Sequence, residues 1–581
     1  MKKKLLTLAL ALTMLLTLFA GCGNQPTGST VSAAEVPTEP AVAESSPSQP
    51  APSAVPESTQ ENSTTPLEDS AEPLEAPLDL REPLTYPLAD GDVTFTILHS
   101  EPALGPMSGQ MNMSTYGDFE TIAAGTEYIG VTPEWQSLSQ MSGDTQFNLI
   151  MASGDYPDVI AATDKYYVGG LTKALEDDVI IKLDDYIADG MPEYWNMVQA
   201  DDTLHRAVTS DDGSYLAWYS VFDKTIVNEG YFIRKDWCDK VNMDVPTSIE
   251  EINAFAYTIQ SELSLDCVLL MGEGLDTLST AWGIGTTTAS GAGFAYHREG
   301  DNLVADITSN AYRDYIAQLH QWYVDGIVSQ NFSELDTSNM SGVMERELAN
   351  NRTAIASTMV NSMDNLKQLN EDPDFALAAM VVTVDGGNIH TGPGERQFDS
   401  CSISTQCDPK LIPYIMGWMN YWYTEDGAMA GNYGVEGLDY EQDADGTIRY
   451  LETITENTLG YPPMLFSRAR CFSGASFGLM YQDRTVPFFT EAQTDAIDTW
   501  TARTDDLNAV PKTLSLNVEE SEVVALYATD LATFISEEVP KFVTGDRDLS
   551  EWDSFVTVCE SMHVDELLAA YQEAYNCYSE K

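Results

Sequence analysis

Basic residues are scarce in this sequence. It contains 28 Lys and Arg against 91 Asp and Glu in 581 residues, which gives a formal net charge of −63 at pH 7. Nucleic acids and anionic membrane surfaces are bound through clustered Lys and Arg, so this balance argues against both as partners. It also disfavours a polyanionic ligand, unless a local basic pocket overrides the average.

Cysteines are also few. The chain has eight: Cys22 and seven more between Cys238 and Cys577. Their spacing fits neither a disulfide framework nor a zinc-binding pattern, so we expect most of them to be buried thiols that pack as small apolar side chains. The sequence also lacks a second apolar run that could span a membrane after the one at its N-terminus.

That N-terminal apolar run is short. Three lysines precede it, and Leu5–Ala20 fits the h-region of a secretory signal peptide better than a spanning helix of about 20 residues. The segment Phe19–Cys22 resembles the lipobox of bacterial lipoproteins, in which the cysteine is lipidated and becomes the new N-terminus, although Phe19 replaces the usual Leu. We predict a signal peptide over 1–21 and lipidation of Cys22; the alternative is ordinary secretion with a free thiol.

The segment after Cys22 has little that could fold. From Gly23 to about Pro87 it is rich in Pro, Ser, Thr, Ala and Glu, and no Lys or Arg occurs between Lys4 and Arg81. Such a composition cannot bury enough apolar surface to offset chain entropy. We therefore predict that residues 22–88 are a disordered tether that holds the folded part away from the membrane.

The remaining residues exceed what one hydrophobic core usually organises, so two lobes are expected. The stretch "VTFTIL" (93–98) reads as a buried strand, and "TQFNLIMASGDYPDVIAAT" (145–163) as a helix, a Gly stop and a second buried strand. This order indicates an α/β fold. Further on, Thr247 and Glu250 suggest a capping box at the start of an amphipathic helix.

Several segments together resemble a known family. These are "ASGDYPDVI", "FIRKDWCDKVNMDVPTSIEE", "YWYTEDGAMAGNYGVEGLDY", "KFVTGDRDLSEWDSF" and "VDELLAAYQEAYNCY". Between about Tyr86 and Tyr578 the chain resembles the extracellular solute-binding proteins of bacterial carbohydrate ABC importers, specifically their long lipoprotein branch in Gram-positive bacteria. Each motif alone is weak, but all of them occur in the order found in the family.

The resemblance implies a type II periplasmic-binding-protein fold, in which two α/β lobes, each interrupted in sequence, are joined by crossover strands that act as a hinge. Mapped onto this chain, lobe one takes residues 89–225 and 400–455, and lobe two takes residues 226–399 and 456–581. The ligand would bind in the cleft between the lobes, and the lobes would close on it.

Sugar recognition needs flat apolar faces against the pyranose ring and polar groups that converge on the hydroxyls. Trp282 lies in a Gly- and Thr-rich loop, where functional residues often occur. Trp322, Trp418 and Trp422 lie on helical faces and are predicted core residues. The candidate ligand contacts are Trp218, Tyr219, Trp282, Asp155, Glu101 and Arg468, and for each of them a purely structural role is the alternative.

Two motifs suggest other chemistry. "EQDADGTIRYLE" (441–452) imitates a calcium loop, but the surrounding pattern favours an ordinary hairpin turn. "GASFG" (474–478) fits a nucleophile elbow, with Asp483 and His563 following in the order of a hydrolase triad. The flanking sequence lacks the strand and helix that an elbow needs, so we expect a loop.

The sequence therefore favours a lipid-anchored, non-enzymatic component of an ABC importer, on the extracellular face of the cell membrane, that captures oligosaccharides. Its partners would be the oligosaccharide, the permease subunits and the membrane, the last through the lipid only. We expect a monomer that binds no nucleic acid, cofactor or metal. The alternatives are a surface-attached glycoside hydrolase, and a sugar sensor or adhesin on the same fold.

Overall fold

The computed structural model describes residues 78–581, apart from 91, 141, 273–274, 286–291, 336–339, 393, 473–474, 512–513 and 515. The predicted signal peptide (1–21), Cys22 and most of the predicted tether lie outside the described residues. These parts of the chain stay predictions.

The strands and helices alternate along most of the chain, as expected for an α/β fold. The strands are β1 (Thr94–Ser100), β2 (Thr132–Leu138), β3 (Val159–Ala161), β4 (Trp218–Phe222), β5 (Glu229–Arg234), β6 (Tyr296–Glu299), β7 (Asn302–Ala305), β8 (Ile355–Met359), β9 (Leu377–Met380), β10 (Gln397–Ile403), β11 (Tyr440–Gln442), β12 (Ile448–Tyr450) and β13 (Leu479–Met480). The helices are α1 (Pro106–Met111), α2 (Glu120–Ile129), α3 (Gly143–Ser153), α4 (Thr163–Tyr166), α5 (Gly170–Glu176), α6 (Ile187–Gly190), α7 (Pro192–Gln199), α8 (Asp202–Val208), α9 (Lys235–Lys240), α10 (Ile249–Leu263), α11 (Asn310–Val324), α12 (Met340–Ala349), α13 (Ser362–Leu369), α14 (Ile412–Tyr421), α15 (Glu425–Tyr433), α16 (Glu452–Thr455), α17 (Pro463–Ser467), α18 (Glu491–Ala502), α19 (Val518–Thr544), α20 (Trp552–Ser561) and α21 (Val564–Glu580).

The first lobe is built on a six-stranded mixed sheet with the order β13-β4-β10-β3-β1-β2. Strand β1 runs parallel to β2 and β3, whereas β10 runs antiparallel to β3 and β4. Its core buries the predicted core residues Trp418 and Trp422 completely. The apolar runs of β1 and β3 are explained by this packing, since both strands are covered on both faces.

The second lobe contains a three-stranded antiparallel sheet of order β8-β5-β9 and the β6–β7 hairpin. Long helices cover it, and the chief contacts are those of α19 with α11 and α21. Trp322, also a predicted core residue, is fully buried in a separate hydrophobic core. Two sheets with two cores give the two-lobed α/β fold that the sequence predicts. No helix in the described part of the chain combines the length and apolarity needed to cross a bilayer.

The chain crosses between the lobes more than once. Strand β4 belongs to the first sheet and β5 to the second, while β9 belongs to the second and β10 to the first. Residues 223–228 and 381–396 are therefore crossovers. The lobe boundaries as a whole stay a prediction. Residues 456–581 were predicted to belong to lobe two, but the first part of this segment packs on the first lobe: Phe466 and Phe472 lie in the first core, and β13 pairs with β4. This packing puts the last crossover between β13 and α18.

The predicted tether is too long at its C-terminal end. Residues 78–88 pack on the first lobe, because Leu88 is buried and the Tyr86 hydroxyl donates a hydrogen bond to the Gly417 carbonyl over 3.0 Å. A Cβ on Gly417 would come within 2.7 Å of the Leu88 side chain, so the missing side chain permits this contact. The two prolines of the segment made it look like the tether before it, although its leucines, such as Leu84 and Leu88, supply the apolar surface that packs.

Helix α10 shows how local sequence sets an element. The cap lies one residue later than predicted: the Ser248 hydroxyl accepts from the Glu251 amide, and the Glu251 carboxylate accepts from the Thr247 amide over 2.8 Å. The apolar residues at helical spacing after it, including Ile252 and Phe255, are fully buried. The helix was thus predicted correctly, whereas the proposed pair of Thr247 with Glu250 was wrong.

A buried ion pair in the second lobe makes stability depend on pH. The Nδ1 atom of His297 lies 2.7 Å from the Asp306 carboxylate, which also accepts from the Gly285 amide over 2.9 Å. Burial lowers the pKa of His297. The hydrogen bond with Asp306 and the charge of Asp306 raise the pKa by more than burial lowers it, so that it lies above its ordinary value of 6.5. A raised folded-state pKa gives stability that is present below the unfolded pKa and is lost as pH rises through the folded pKa.

We therefore expect His297→Gln to cost more stability at pH 5.5 than at pH 8.5, because the charged imidazole is the form that Asp306 favours. Urea unfolding of both proteins at the two pH values measures the difference. Comparison at each pH cancels the contribution of other groups, such as buried His99, whose pKa is lowered by desolvation. An equal loss of stability at both pH values would contradict the expectation.

Candidate ligand-binding site

A cavity of about 760 Å³ lies where the two lobes meet. Its volume falls within the range of ~300–1,000 Å³ that is usual for ligand sites. From the first lobe it is lined by the ends of β4 and β10 and by the region of α17 and β13, and from the second lobe by the end of β8 and the start of α13. The lining residues are Phe222, Ile226, Asn228, Met359, Val360, Asn361, Asp364, Asn365, Gln368, Phe398, Pro462, Pro463, Met464, Leu465, Arg468, Met480, Gln482, Arg484, Thr485, Phe488, Phe489 and Gln493.

One wall of the cavity is aromatic. The rings of Phe222 and Phe398 are stacked, with centroids 4.4 Å apart and an interplanar angle of 26°. They come together because β4 and β10 are antiparallel neighbours. A β-bulge between Phe398 and Ser400 leaves Asp399 unpaired with a φ of +37°, and such bulges redirect side chains next to functional sites. This wall offers the flat apolar surface that a sugar ring requires.

The second-lobe lining of the cavity is rich in amide side chains. Asn361, Asn365 and Gln368 are exposed at the start and along one side of α13. Two hydrogen bonds hold Val360, just before the start of α13. Its amide donates to the carbonyl of Asn228, in the crossover 223–228, over 2.8 Å, and its carbonyl accepts from the Gln493 side chain over 3.0 Å. Amides both donate and accept hydrogen bonds, so they match hydroxyl groups of either orientation.

Two arginines line the same cavity. Arg468 ends α17 and is exposed. Arg484 lies on the 3₁₀ turn Gln482–Phe488, where its guanidinium donates to the Tyr481 carbonyl over 2.8 Å. Burial lowers the pKa of Arg484. Two guanidinium-bearing residues therefore line one cavity.

A smaller cavity of about 440 Å³ lies elsewhere between the lobes, beside α5 and the end of α8. Tyr219 and Asp164 line it on the first lobe, and Leu514 and Leu516 on the second. Asp164 accepts a hydrogen bond from the Ser400 hydroxyl, and burial raises its pKa, as does the charge of Asp399. Burial also raises the pKa of Tyr219, so its phenol stays protonated.

The six residues predicted to contact ligand fall into different places. Arg468 lines the larger cavity and Tyr219 the smaller one. Trp218 has no exposed surface and lies in the first core, so it packs as a core residue in this structure. Trp282 is partly buried against Tyr315, with ring centroids 5.0 Å apart.

The two predicted carboxylates lie outside both cavities. Glu101 accepts from the Gln140 amide over 2.8 Å and so fixes the loop after β1. Asp155 is exposed in the turn that follows α3, where its amide donates to the Ser153 hydroxyl over 3.2 Å. Both follow first-lobe elements as expected, but neither belongs to the lining. Ligand contact by the predicted residues stays a prediction.

Sequence reasoning missed Phe398, Arg484 and Asn361. The only available signal was an aromatic residue next to Asp399 in "QFDSCSI", which reads as an ordinary strand. The cavity is assembled from segments far apart in sequence, and no local spacing connects them.

The motifs with alternative chemistry have structural explanations. Asp483 forms an ion pair with Lys224 over 2.6 Å, and His563 contacts Glu566 over 3.0 Å, while Ser476 is buried beside His99. These residues do not form a triad; Gly474 lies outside the described residues. Segment 441–452 forms the β11–β12 hairpin, as predicted, and Arg449 lies 2.9 Å from the Glu441 carboxylate.

Comparison with known proteins agrees with the fold. No protein-family model matches the sequence. The chain is 22% identical to lipoprotein LipO of Bacillus subtilis over 478 residues, which cover 77% of this chain and 87% of LipO. It is 20% identical to the polygalacturonan/rhamnogalacturonan-binding protein YtcQ of Bacillus subtilis over 322 residues, 53% of this chain and 61% of YtcQ.

Among solved structures, the chain is similar to an HMO-binding, ABC-transporter-associated solute-binding protein from Bifidobacterium longum infantis. The TM-score is 0.67 and the identity 14%, over 85% of this chain and 100% of that one. The protein therefore has the two-lobed fold of extracellular solute-binding proteins.

Proposed function

We propose that the protein is a lipid-anchored substrate-binding component of an ABC transporter that captures oligosaccharides outside the cell. The observation that carries this proposal is the cavity between the lobes, with stacked Phe222 and Phe398 in its first-lobe lining and amides in its second-lobe lining. Aromatic surface and convergent amides are what a polyhydroxylated ring needs. The named sugar-binding relative and the solute-binding neighbour support the same function.

The lining favours binding over hydrolysis. A glycoside hydrolase needs a pair of carboxylates on either side of the scissile bond. Of the described residues that line the larger cavity, Asp364 is the only carboxylate. The bound sugar would therefore be released unchanged to the permease.

The anchoring belongs to the same proposal. Lipidation of Cys22 would hold the chain at the extracellular face, since acyl chains contribute about 0.8 kcal/mol of membrane binding per buried methylene. The Pro- and Ser-rich segment before residue 78 would then let the two lobes reach ligand and permease. We propose that the protein acts as a monomer.

A thermal-shift screen of the purified protein against a panel of oligosaccharides tests the function. A ligand present at about 100 times its dissociation constant stabilises the folded state by ~2.7 kcal/mol, so at least one glycan should raise the melting temperature. Chromatography of the same samples should recover the glycan intact. The proposal would be overturned by a panel in which no glycan shifts the melting temperature, or by fragments of the glycan.

A further inference from the structure

In the described lining of the larger cavity, basic residues outnumber acidic ones, whereas the whole chain is strongly acidic. The whole chain has 91 acidic and 28 basic residues. The charged residues among the described lining of the cavity are Arg468, Arg484 and Asp364. Other cavities keep the acidic character of the chain: the one beside α2 is lined by Asp90, Asp92, Asp118 and Glu127, and the smaller cavity between the lobes by Asp164.

Arg468 differs from its neighbour Arg470. The Arg470 side chain is held by Asp439, 3.0 Å away, and by Glu120, 2.6 Å away. Within the described part of the chain, no carboxylate lies within ion-pair distance of Arg468, which remains exposed on the cavity. In a protein with more than three acidic residues for each basic one, a structural arginine easily finds a carboxylate. The position of Arg468 therefore suits a carboxylate that comes from outside the protein.

Arg484 adds a second guanidinium that is fixed in place. Its side chain donates to the Tyr481 carbonyl, and its own carbonyl accepts from the Tyr450 hydroxyl over 3.0 Å. Arg484 is partly buried in the lining of the same cavity as Arg468, and desolvation opposes its protonated form. A guanidinium can bind a carboxylate through two parallel hydrogen bonds, so the two arginines that line this cavity suit a carboxylate of the ligand.

We propose that this cavity selects oligosaccharides that carry carboxylate groups, such as those built from uronic acids, and that Arg468 and Arg484 bind a carboxylate of the ligand. The inference rests on the proposed function, because it names the ligand class of the same site. The stacked phenyl rings would contact the sugar ring while the arginines bind its acidic substituent. The acidity of the rest of the surface would confine such a ligand to this cavity.

The test compares acidic oligosaccharides with their neutral counterparts. Trisaccharides of galacturonate, glucuronate and mannuronate, and the same trisaccharides with their carboxyl groups reduced to alcohols, are titrated calorimetrically into the full mature protein, beside a panel of neutral oligosaccharides. We expect at least one acidic trisaccharide to bind more tightly than its reduced form, on the order of tenfold to a hundredfold, as hydrogen bonds to charged groups contribute. The preference should shrink at high salt.

Variants connect the preference to the two arginines. Arg468→Gln and Arg484→Gln should each remove most of the preference for the acidic form, measured in each variant as the ratio of its affinities for the acidic and the reduced trisaccharide. Arg313→Gln is the matched control, because Arg313 is exposed on α11 and is not part of the cavity lining. Circular dichroism and the melting temperature check that each variant is folded.

The outcomes separate the inference from the function on which it rests. If neutral oligosaccharides bind as tightly as acidic ones or more tightly, or if Arg468→Gln and Arg484→Gln keep the preference, the inference is wrong and the proposed function stands. If no carbohydrate of either kind binds, the proposed function fails and the inference fails with it.

Discussion

Replacing Phe398 with Ala should weaken oligosaccharide binding by about 30-fold or more. The ring forms the aromatic wall of the cavity together with Phe222, 4.4 Å away between centroids. An aromatic anchor in a binding site commonly contributes ~2 kcal/mol or more, which corresponds to that factor in affinity. Calorimetric titration with whichever glycan raises the melting temperature measures the change.

Phe534→Ala is the matched control for this variant. Phe534 is also partly buried and also stacked, against Phe555 with centroids 5.5 Å apart, but it lies on α19 in the second lobe and is not part of the cavity lining. We expect this variant to lose stability but to keep its affinity. If Phe398→Ala binds within twofold of the unaltered protein while folded, the cavity is not the ligand site.

Replacing Arg234 with Ala should cost about 3–5 kcal/mol of unfolding free energy, the largest loss of stability that we expect from a single charged residue. The side chain of Arg234 is fully buried, and its guanidinium binds the Asp236 carboxylate through two hydrogen bonds of 2.8 and 2.6 Å. It also packs 4.1 Å from the centroid of the Trp237 ring. Truncation would leave the carboxylate of Asp236 buried without its partner, which is what makes the loss large.

Denaturant unfolding followed by tryptophan fluorescence measures this change. Arg346→Ala is the control, since Arg346 pairs with Glu347 while 60% exposed, and exposed pairs contribute only about 0–1 kcal/mol. The double variant with Asp236→Ala should lose less than the sum of the two single losses, because it removes both charges. A loss below 1 kcal/mol for Arg234→Ala would contradict the account of this ion pair.

The fold could be predicted from sequence because its signals are local. The helix, Gly stop and strand around residues 145–163, for instance, are α3, Gly154 and β3 in the structure. Trp322 and Trp418 were predicted to be core residues because they lie on apolar helical faces, and both are fully buried. The errors lie where tertiary contacts override composition: residues 78–88 look like tether but pack on α14, and the segment after 456 joins the first core.

The site was less predictable because it depends on long-range geometry. Trp218 and Tyr219 are adjacent in β4 and both belong to the first core, but only Tyr219 also lines a cavity, since successive side chains of a strand face opposite sides. Phe398 reaches the cavity through its pairing with a strand about 180 residues earlier in the chain. Of the six predicted residues, Arg468 and Tyr219 line cavities between the lobes, and contact of any of the six with ligand stays a prediction.

The most direct test of the central claim is a crystal structure of the protein with a bound oligosaccharide. We predict an intact glycan between the two lobes, with a sugar ring against Phe398 and hydroxyl groups within hydrogen-bond distance of Asn361 or Gln368. A glycan held only on the outer surface of one lobe, or density for a cleaved product, would contradict the claim that the lobes capture a sugar without altering it.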